Sequence, residues 1–364
     1  MILSVMLITL SSLACYQMKE TERWSLGYWT PWGSPALPPD QIEWSGLTHV
    51  VYAWALVRPD ARLDLSTQRV SSEAPALVAA AHSRGAKVLL GIAQPYWLKQ
   101  TSNLPQAARQ HRSRLVENVM SVVDAYGFDG VDIDWEPFDP QKDGETLRML
   151  AADLRERLGN RLLSAAAIIN DYSYWGTIHR DFDRIGVMTY DFAGTWNPYT
   201  WHNAALYHVQ GAAASALWPR VWSVDLAVRR FSNGGVPLSK LSIGIPFFGR
   251  EWEGEGLTGP GKEWVSRPSV NYVSYQKLSG AITPDRYRWD SVARVPYLTI
   301  EDTAGPNDRF LTYDNEQSVV EKVNYAKSKG LGGWIIWELS GDYFPAQTPS
   351  QPLLHAIKNA NHGL

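Results

Sequence analysis

The sequence predicts an α/β chain folded as a closed (β/α)8 TIM barrel, with a small α+β insertion between its seventh and eighth strands. Three observations carry that expectation. Eight short apolar runs are spread along the 364 residues, each of a length suited to a strand buried on both faces. Stretches with helical spacing separate most of them, and alternation of strand and helix is the mark of a parallel sheet. The first run is followed by Thr30-Pro31-Trp32-Gly33-Ser34-Pro35. That is not the glycine-rich phosphate turn of the runner-up fold, an open doubly wound sheet.

The expected strands cover residues 26–29, 49–56, 87–92, 128–136, 162–167, 184–191, 241–247 and 333–338. A first helix is expected at 74–83, alanine-rich and stopped near Gly85. A second, at 106–126, sets Leu115, Val116, Val119, Met120, Val122 and Val123 close to a helical period. The third, at 144–158, carries Leu147, Leu150 and Leu154, and further helices are expected at 221–231 and 316–329. The last has Val319, Val320, Val323 and Ala326 on one side and ends at Gly330. Residues 251–313 are too many for a simple crossover and are rich in Gly, Tyr, Trp and Pro. They are expected to form the inserted lobe, one wall of a cleft, which leaves 24–250 and 314–364 for the barrel.

The fourth run, Phe128-Asp129-Gly130-Val131-Asp132-Ile133-Asp134-Trp135-Glu136, organises the chain. In a strand, Asp132, Asp134 and Glu136 point to one face and Val131, Ile133 and Trp135 to the other. Unpaired buried carboxylates cost several kcal/mol each, so a row of them on a core strand needs a reason. A calcium loop is disfavoured, because Val, Ile and Trp stand where such a loop has polar ligands and a central glycine. An acidic surface strand is the other plain reading; the favoured one is chemistry, carboxylates aimed at a reacting group. In a barrel, reacting residues sit at the C-terminal ends of strands, and Glu136, just before Pro137, lies at the mouth.

The net charge of −3 and the lack of long basic runs argue against a nucleic-acid partner. The single cysteine, Cys15, permits no internal disulfide and no cysteine-built zinc site. The eight histidines form no His-x-x-x-His pair, so neither a metal nor a cofactor is expected. The 17 Trp and 17 Tyr point to a large core and to flat aromatic faces in a cleft, which stack on the apolar faces of sugar rings.

Residues 1–14 are apolar and uncharged, too few to span a bilayer, which takes roughly 20 residues. They resemble the apolar region of an export signal. Ser12-Leu13-Ala14-Cys15 also resembles a bacterial lipoprotein cleavage site, in which the cysteine becomes the lipidated first residue. No Lys or Arg precedes the apolar run, and the leucine stands one position late for that pattern. The expectation is an export or lipoprotein signal with a linker over 1–23, and a secreted or cell-envelope location.

Asp129-Gly130-Val131-Asp132-Ile133-Asp134-Trp135-Glu136 resembles the Asp-x-x-Asp-x-Asp-x-Glu signature of family 18 glycoside hydrolases, the chitinase family. Other segments agree. Met188-Thr189-Tyr190-Asp191 resembles the sixth-strand motif, with Trp196 placed like the aromatic after it. Pro246-Phe247-Phe248-Gly249-Arg250 is similar to the seventh-strand motif and Gly332-Gly333-Trp334-Ile335-Ile336-Trp337 to the eighth. Tyr313-Asp314-Asn315-Glu316-Gln317-Ser318 resembles the lead into the last helix, and the inserted lobe resembles the chitinase insertion domain. The likeness runs from about Ser25 to Asp342. Three positions depart from it. Leu90-Gly91-Ile92-Ala93 stands where many relatives read Ser-x-Gly-Gly, Phe248 where tyrosine is common, and Trp54 where phenylalanine is usual.

The resemblance implies retaining hydrolysis assisted by the substrate's own N-acetyl group, an exception to the two-carboxylate scheme. Residues two apart on a strand lie roughly 6–7 Å apart, so Asp134 neighbours Glu136 and does not oppose it across a scissile bond. Glu136 is then the general acid and later the base, its proton held by repulsion from Asp134 and Asp132. Asp134 accepts the acetamide N–H, Asp132 shares a proton with Asp134, and Tyr190 bonds the acetamide oxygen. Trp337 is the implied floor for the sugar, Asp191 and Arg250 bond substrate, and Met188 forms a wall. Tyr28, Trp97 and Trp196 complete the candidates, with loop packing as the other reading of each. The expected substrate is chitin or its oligomers, with no stable protein partner implied. Peptidoglycan, the core of N-linked glycans, and non-catalytic sugar binding stay open as alternatives.

Overall fold

In the computed structural model, eight parallel strands close into a barrel. The structure describes residues 23–33, 35–94, 102–207, 222–264, 266–303 and 306–363. The signal expected over 1–23, Cys15 included, falls outside these but for Arg23, and Trp97 lies outside them too. The barrel strands are Trp24–Trp29, His49–Val57, Lys87–Gln94, Gly130–Trp135, Leu162–Ala167, Arg184–Val187, Leu241–Pro246 and Gly333–Trp337. Neighbours in the barrel are neighbours in order. The first strand pairs with the second, Leu26 opposite His49, and with the eighth, Trp24 opposite Gly333, and this closes the ring.

Alternation along each strand divides two cores. Val131, Ile133 and Trp135 face outward into the layer between strands and helices, with Leu90, Ile92, Ala165 and Ile245. Leu26, Tyr28, Val51, Trp54, Leu89 and Ile335 fill the barrel interior, with Met188 and Trp337 packed against them. Each fully buried aliphatic or aromatic side chain contributes roughly 1.5–3 kcal/mol, and this inner packing leaves a firm floor beneath the mouth. Among the described residues, no helix is long and apolar enough to cross a membrane.

Where the elements depart from expectation, a local reason is visible. The first helix begins a turn early, at Val70, because Arg69 enters through a left-handed conformation and Val70 and Ala74 are both buried. Among the described residues, two helices around the barrel have no counterpart in the sequence pattern. Tyr172–Ile178 is short and aromatic, without an apolar period. Pro352–His362 starts on a proline, and its N-terminus is held by Asp342, whose carboxylate accepts from Leu353 N–H at 3.1 Å and Leu354 N–H at 2.9 Å. That cap comes from ten residues upstream, beyond the reach of a local motif. The sixth strand stops at Val187, four residues short of the expected end. Beyond it Thr189 turns its side chain to the seventh strand, donating to the Gly244 carbonyl at 2.9 Å and accepting from Gly244 N–H at 2.8 Å.

Between the seventh and eighth barrel strands lies a five-stranded antiparallel sheet. Its order is Ser269–Ser274, Phe248–Glu253, Arg309–Thr312, Val295–Ile300, Tyr287–Asp290, with a short helix at Tyr275–Leu278. Its first strand starts at Phe248, so Arg250 belongs to this sheet, where the sequence reading ended the barrel segment at 250. Trp252 and Phe310 from the sheet pack with Ala193, Tyr199 and Trp201 from the loop after the sixth strand. That apolar contact docks the lobe onto the rim of the barrel.

Candidate active site

The acids of the fourth strand sit where alternation puts them. Asp132 is 1% and Asp134 5% exposed, while Glu136, one residue past the strand, is half-buried at the mouth. Asp132 lies opposite Gly91 of the third strand and Ser164 of the fifth. It accepts from the Tyr28 hydroxyl at 2.9 Å and from the Ser164 hydroxyl. Burial pushes its carboxyl up to about 6, and those two hydrogen bonds pull against the rise. Asp134 is raised well above the usual carboxylate range, first by burial, then by the charges of Glu136 and Asp132. Its Oδ1 is buried without a hydrogen-bond partner among the described residues. A buried acceptor left open costs about 1–3 kcal/mol, which singles it out as the place for a ligand's donor.

Tyr190 faces the same space. Burial, then the charges of Glu136 and Asp134, raise its hydroxyl well above the usual tyrosine range, so it stays a proton donor. Its ring packs edge-on against Phe248 at 5.6 Å. It also fills the room left by Gly244, where a Cβ would lie 2.7 Å from the ring. Met188 and Trp337 both pack against the cluster of Tyr190, Ala204 and Phe248. Trp337 is half-buried at the end of the eighth strand and stacks on Trp54 at 5.2 Å and 14°. Tyr28 packs against the Trp337 ring at a tilt, centroid to centroid 5.5 Å. Asp191 is bound by Arg250 through Nε at 2.7 Å and Nη2 at 2.6 Å, with the guanidinium above the rings of Phe248 and Tyr272. Burial raises the Asp191 carboxyl and Arg250 opposes the rise.

The structure thus brings together Asp132, Asp134, Glu136, Tyr190, Tyr28, Met188, Trp337, Asp191 and Arg250. It leaves Trp196 apart from them: that ring is 66% exposed and lies over Gly194 on the rim. Sequence reasoning missed Ser164, although counting inward positions on the fifth strand would have found it. One departure noted in the sequence, Trp54, packs against Gly91 of the third strand. A Cβ on Gly91 would lie 2.6 Å from Trp54 Cδ1 and 2.8 Å from the Tyr52 carbonyl oxygen, so ring and backbone together leave room only for glycine at 91. Trp54 is in turn the ring beneath Trp337, and it also touches Trp32 at 5.6 Å.

The model of glycosyl hydrolases family 18 matches residues 25–342. This chain belongs to that family. Among family 18 relatives, chitinase A1 of Niallia circulans is 32% identical over 70% of this chain and 40% of its own length. Chitinase 1 of Aphanocladium album is 26% identical over 86% of this chain and 80% of its own. The chain therefore spans less than half of the first relative and four fifths of the second. The crystal structure of the group IV chitinase of Ostrinia furnacalis in complex with allosamidin superposes with a TM-score of 0.80. It covers 94% of this chain and 99% of that one at 22% identity, a likeness of fold.

Proposed function

We propose that this protein hydrolyses β-1,4-linked N-acetylglucosamine polymers, chitin and its oligomers, with retention and with the substrate's acetamide as nucleophile. One observation carries the reading: an open buried acceptor, Asp134 Oδ1, shares its space with the Tyr190 hydroxyl donor and the half-exposed Glu136. An acetamide offers one N–H and one carbonyl oxygen, and this pair of protein groups is complementary to both.

The carbonyl oxygen of the acetamide attacks C1 of its own sugar as the bond from C1 to the glycosidic oxygen breaks. The leaving oxygen takes the proton of Glu136. Asp134 accepts the acetamide N–H and balances the positive charge that builds on the oxazolinium ring. Tyr190 holds the acetamide oxygen in line with C1 until the bond forms. Water then adds to C1, its proton passing to the Glu136 carboxylate, and the ring reopens. The upward shifts of Asp132 and Asp134 support one proton held by the pair near neutral pH, titrating as a unit. Trp337, held flat by Trp54, is the floor on which the sugar stacks. Asp191 and Arg250 bond its hydroxyls from the lobe side. Export is part of this reading, with lipid anchoring at Cys15 as the second option.

The test is product analysis on chitin hexamer beside peptidoglycan, an N-glycosylated protein and cellulose hexamer. Chitin fragments with a retained anomeric centre support the proposal. Release from peptidoglycan or glycoprotein alone reassigns the substrate. Cleavage of cellulose hexamer, which has no acetamide, contradicts substrate assistance.

A further inference from the structure

Tyr190 and Asp191 reach the cleft from a segment that barrel pairing does not hold, since pairing on the sixth strand ends at Val187. Asp191 also has φ of +55°, the left-handed region, which residues other than glycine visit uncommonly. Besides Arg250, which binds its carboxylate, one residue holds this segment. Asn203 is fully buried and bonds to three separate segments. Its Oδ1 accepts from Asp191 N–H at 3.1 Å, and its backbone carbonyl accepts from Phe192 N–H at 3.1 Å. Its Nδ2 donates to the Phe248 carbonyl at 3.4 Å, and its own N–H donates to Thr312 Oγ1 at 3.1 Å.

The last two partners are in the lobe, and both bear on the cleft. The Phe248 ring packs against Tyr190. Thr312 is the register partner of Arg250, which binds Asp191. One asparagine therefore joins the loop that carries Tyr190 and Asp191 to the sheet that carries Arg250.

We propose that Asn203 is a positioning residue for the reaction. It sets the directions of Tyr190 and Asp191 and fixes Arg250 against them, and it acts through the backbone of Asp191 without touching substrate. The inference rests on the roles given to Tyr190 and Asp191 under the proposed function. A buried asparagine that served folding alone would show the same hydrogen bonds, so the test separates position from stability.

Asn203→Ala removes the acceptor for Asp191 N–H. Asn203→Asp keeps an acceptor at the same place but puts a carboxyl into a buried site, which is costly. Both are assayed on chitin hexamer well below their melting temperatures. We expect Asn203→Ala to lower kcat/KM by about 10–100-fold, the loss that a buried hydrogen bond and a misdirected contact bring. Asn203→Asp should recover most of that loss while melting no higher than Asn203→Ala. Activities that follow the melting temperatures, or full activity in Asn203→Ala, overturn the proposal. A failure of the unsubstituted chain to cleave the hexamer overturns the reading of the cleft, and this proposal with it. That outcome is told apart because it appears before any substitution is made.

Discussion

Removing one oxygen atom tests how the acetamide is held. Tyr190→Phe deletes a hydroxyl that makes no hydrogen bond to a described residue, while the ring keeps its contacts with Phe248 and the space beside Gly244. The fold should hardly notice: a surface-like cost within about 0.5 kcal/mol is expected. The reaction should notice strongly. The hydroxyl is a fixed donor, kept protonated by burial and by the charges of Glu136 and Asp134, and it faces an oxygen whose charge changes as the new ring forms. Donors of that kind contribute about 2.7–4 kcal/mol to the transition state, or about 10²–10³ in kcat. KM should move much less, because sugar stacking on Trp337 and the Asp191–Arg250 contacts are left intact. Initial rates on chitin hexamer, with a thermal melt of the same sample, measure both effects. A kcat within about threefold of the parent would refute the role of Tyr190, since a fixed donor is worth far more than that. A loss of rate matched by a loss of melting temperature would refute it too.

Ser164→Ala removes a donor from Asp132 and so raises further a carboxyl already near 6. At about 1.5–3 kcal/mol per hydrogen bond to a charged group, the acid limb of kcat/KM should move up by about 1–2 pH units. A limb that stays in place means that Asp132 does not set it. Asp134→Asn tests the thermodynamic side. The folded-state carboxyl of Asp132, at about 6, and that of Asp134, raised well above the usual carboxylate range, lie above their unfolded values, so the stability tied to their protonated forms is complete below pH ~4 and is lost as pH rises through the folded values. The substitution should therefore raise the melting temperature at pH ~7.5 more than at pH ~4, and a uniform change across that range would count against the shifts.

The barrel was legible because its signal is repeated and local. Each strand is a short apolar run, and alternation alone placed Asp132 and Asp134 inside the barrel and Trp135 outside it. What escaped the sequence depends on partners remote along the chain. The final helix takes its cap from Asp342, and the sixth strand is cut short by a side-chain bond from Thr189 to Gly244. Motif resemblance found the groups that face the cleft, but it passed over those that stand behind them. Ser164 behind Asp132 and Asn203 behind Asp191 become visible only when strand register and loop packing are known. Trp54 was noticed as a departure, and only the structure shows that its ring packs on Gly91.

The central claim is that Glu136, half-exposed at the mouth of a barrel whose inner acids are buried, moves the proton on which cleavage depends. The most direct measurement is Glu136→Gln assayed for turnover of chitin hexamer and, by calorimetry, for binding it. Gln is close to Glu in shape and keeps the site's packing, but it holds no proton to give. Turnover should fall to background while the hexamer still binds, its floor and its acetamide partners being unchanged. Near-parental turnover in Glu136→Gln would contradict the account.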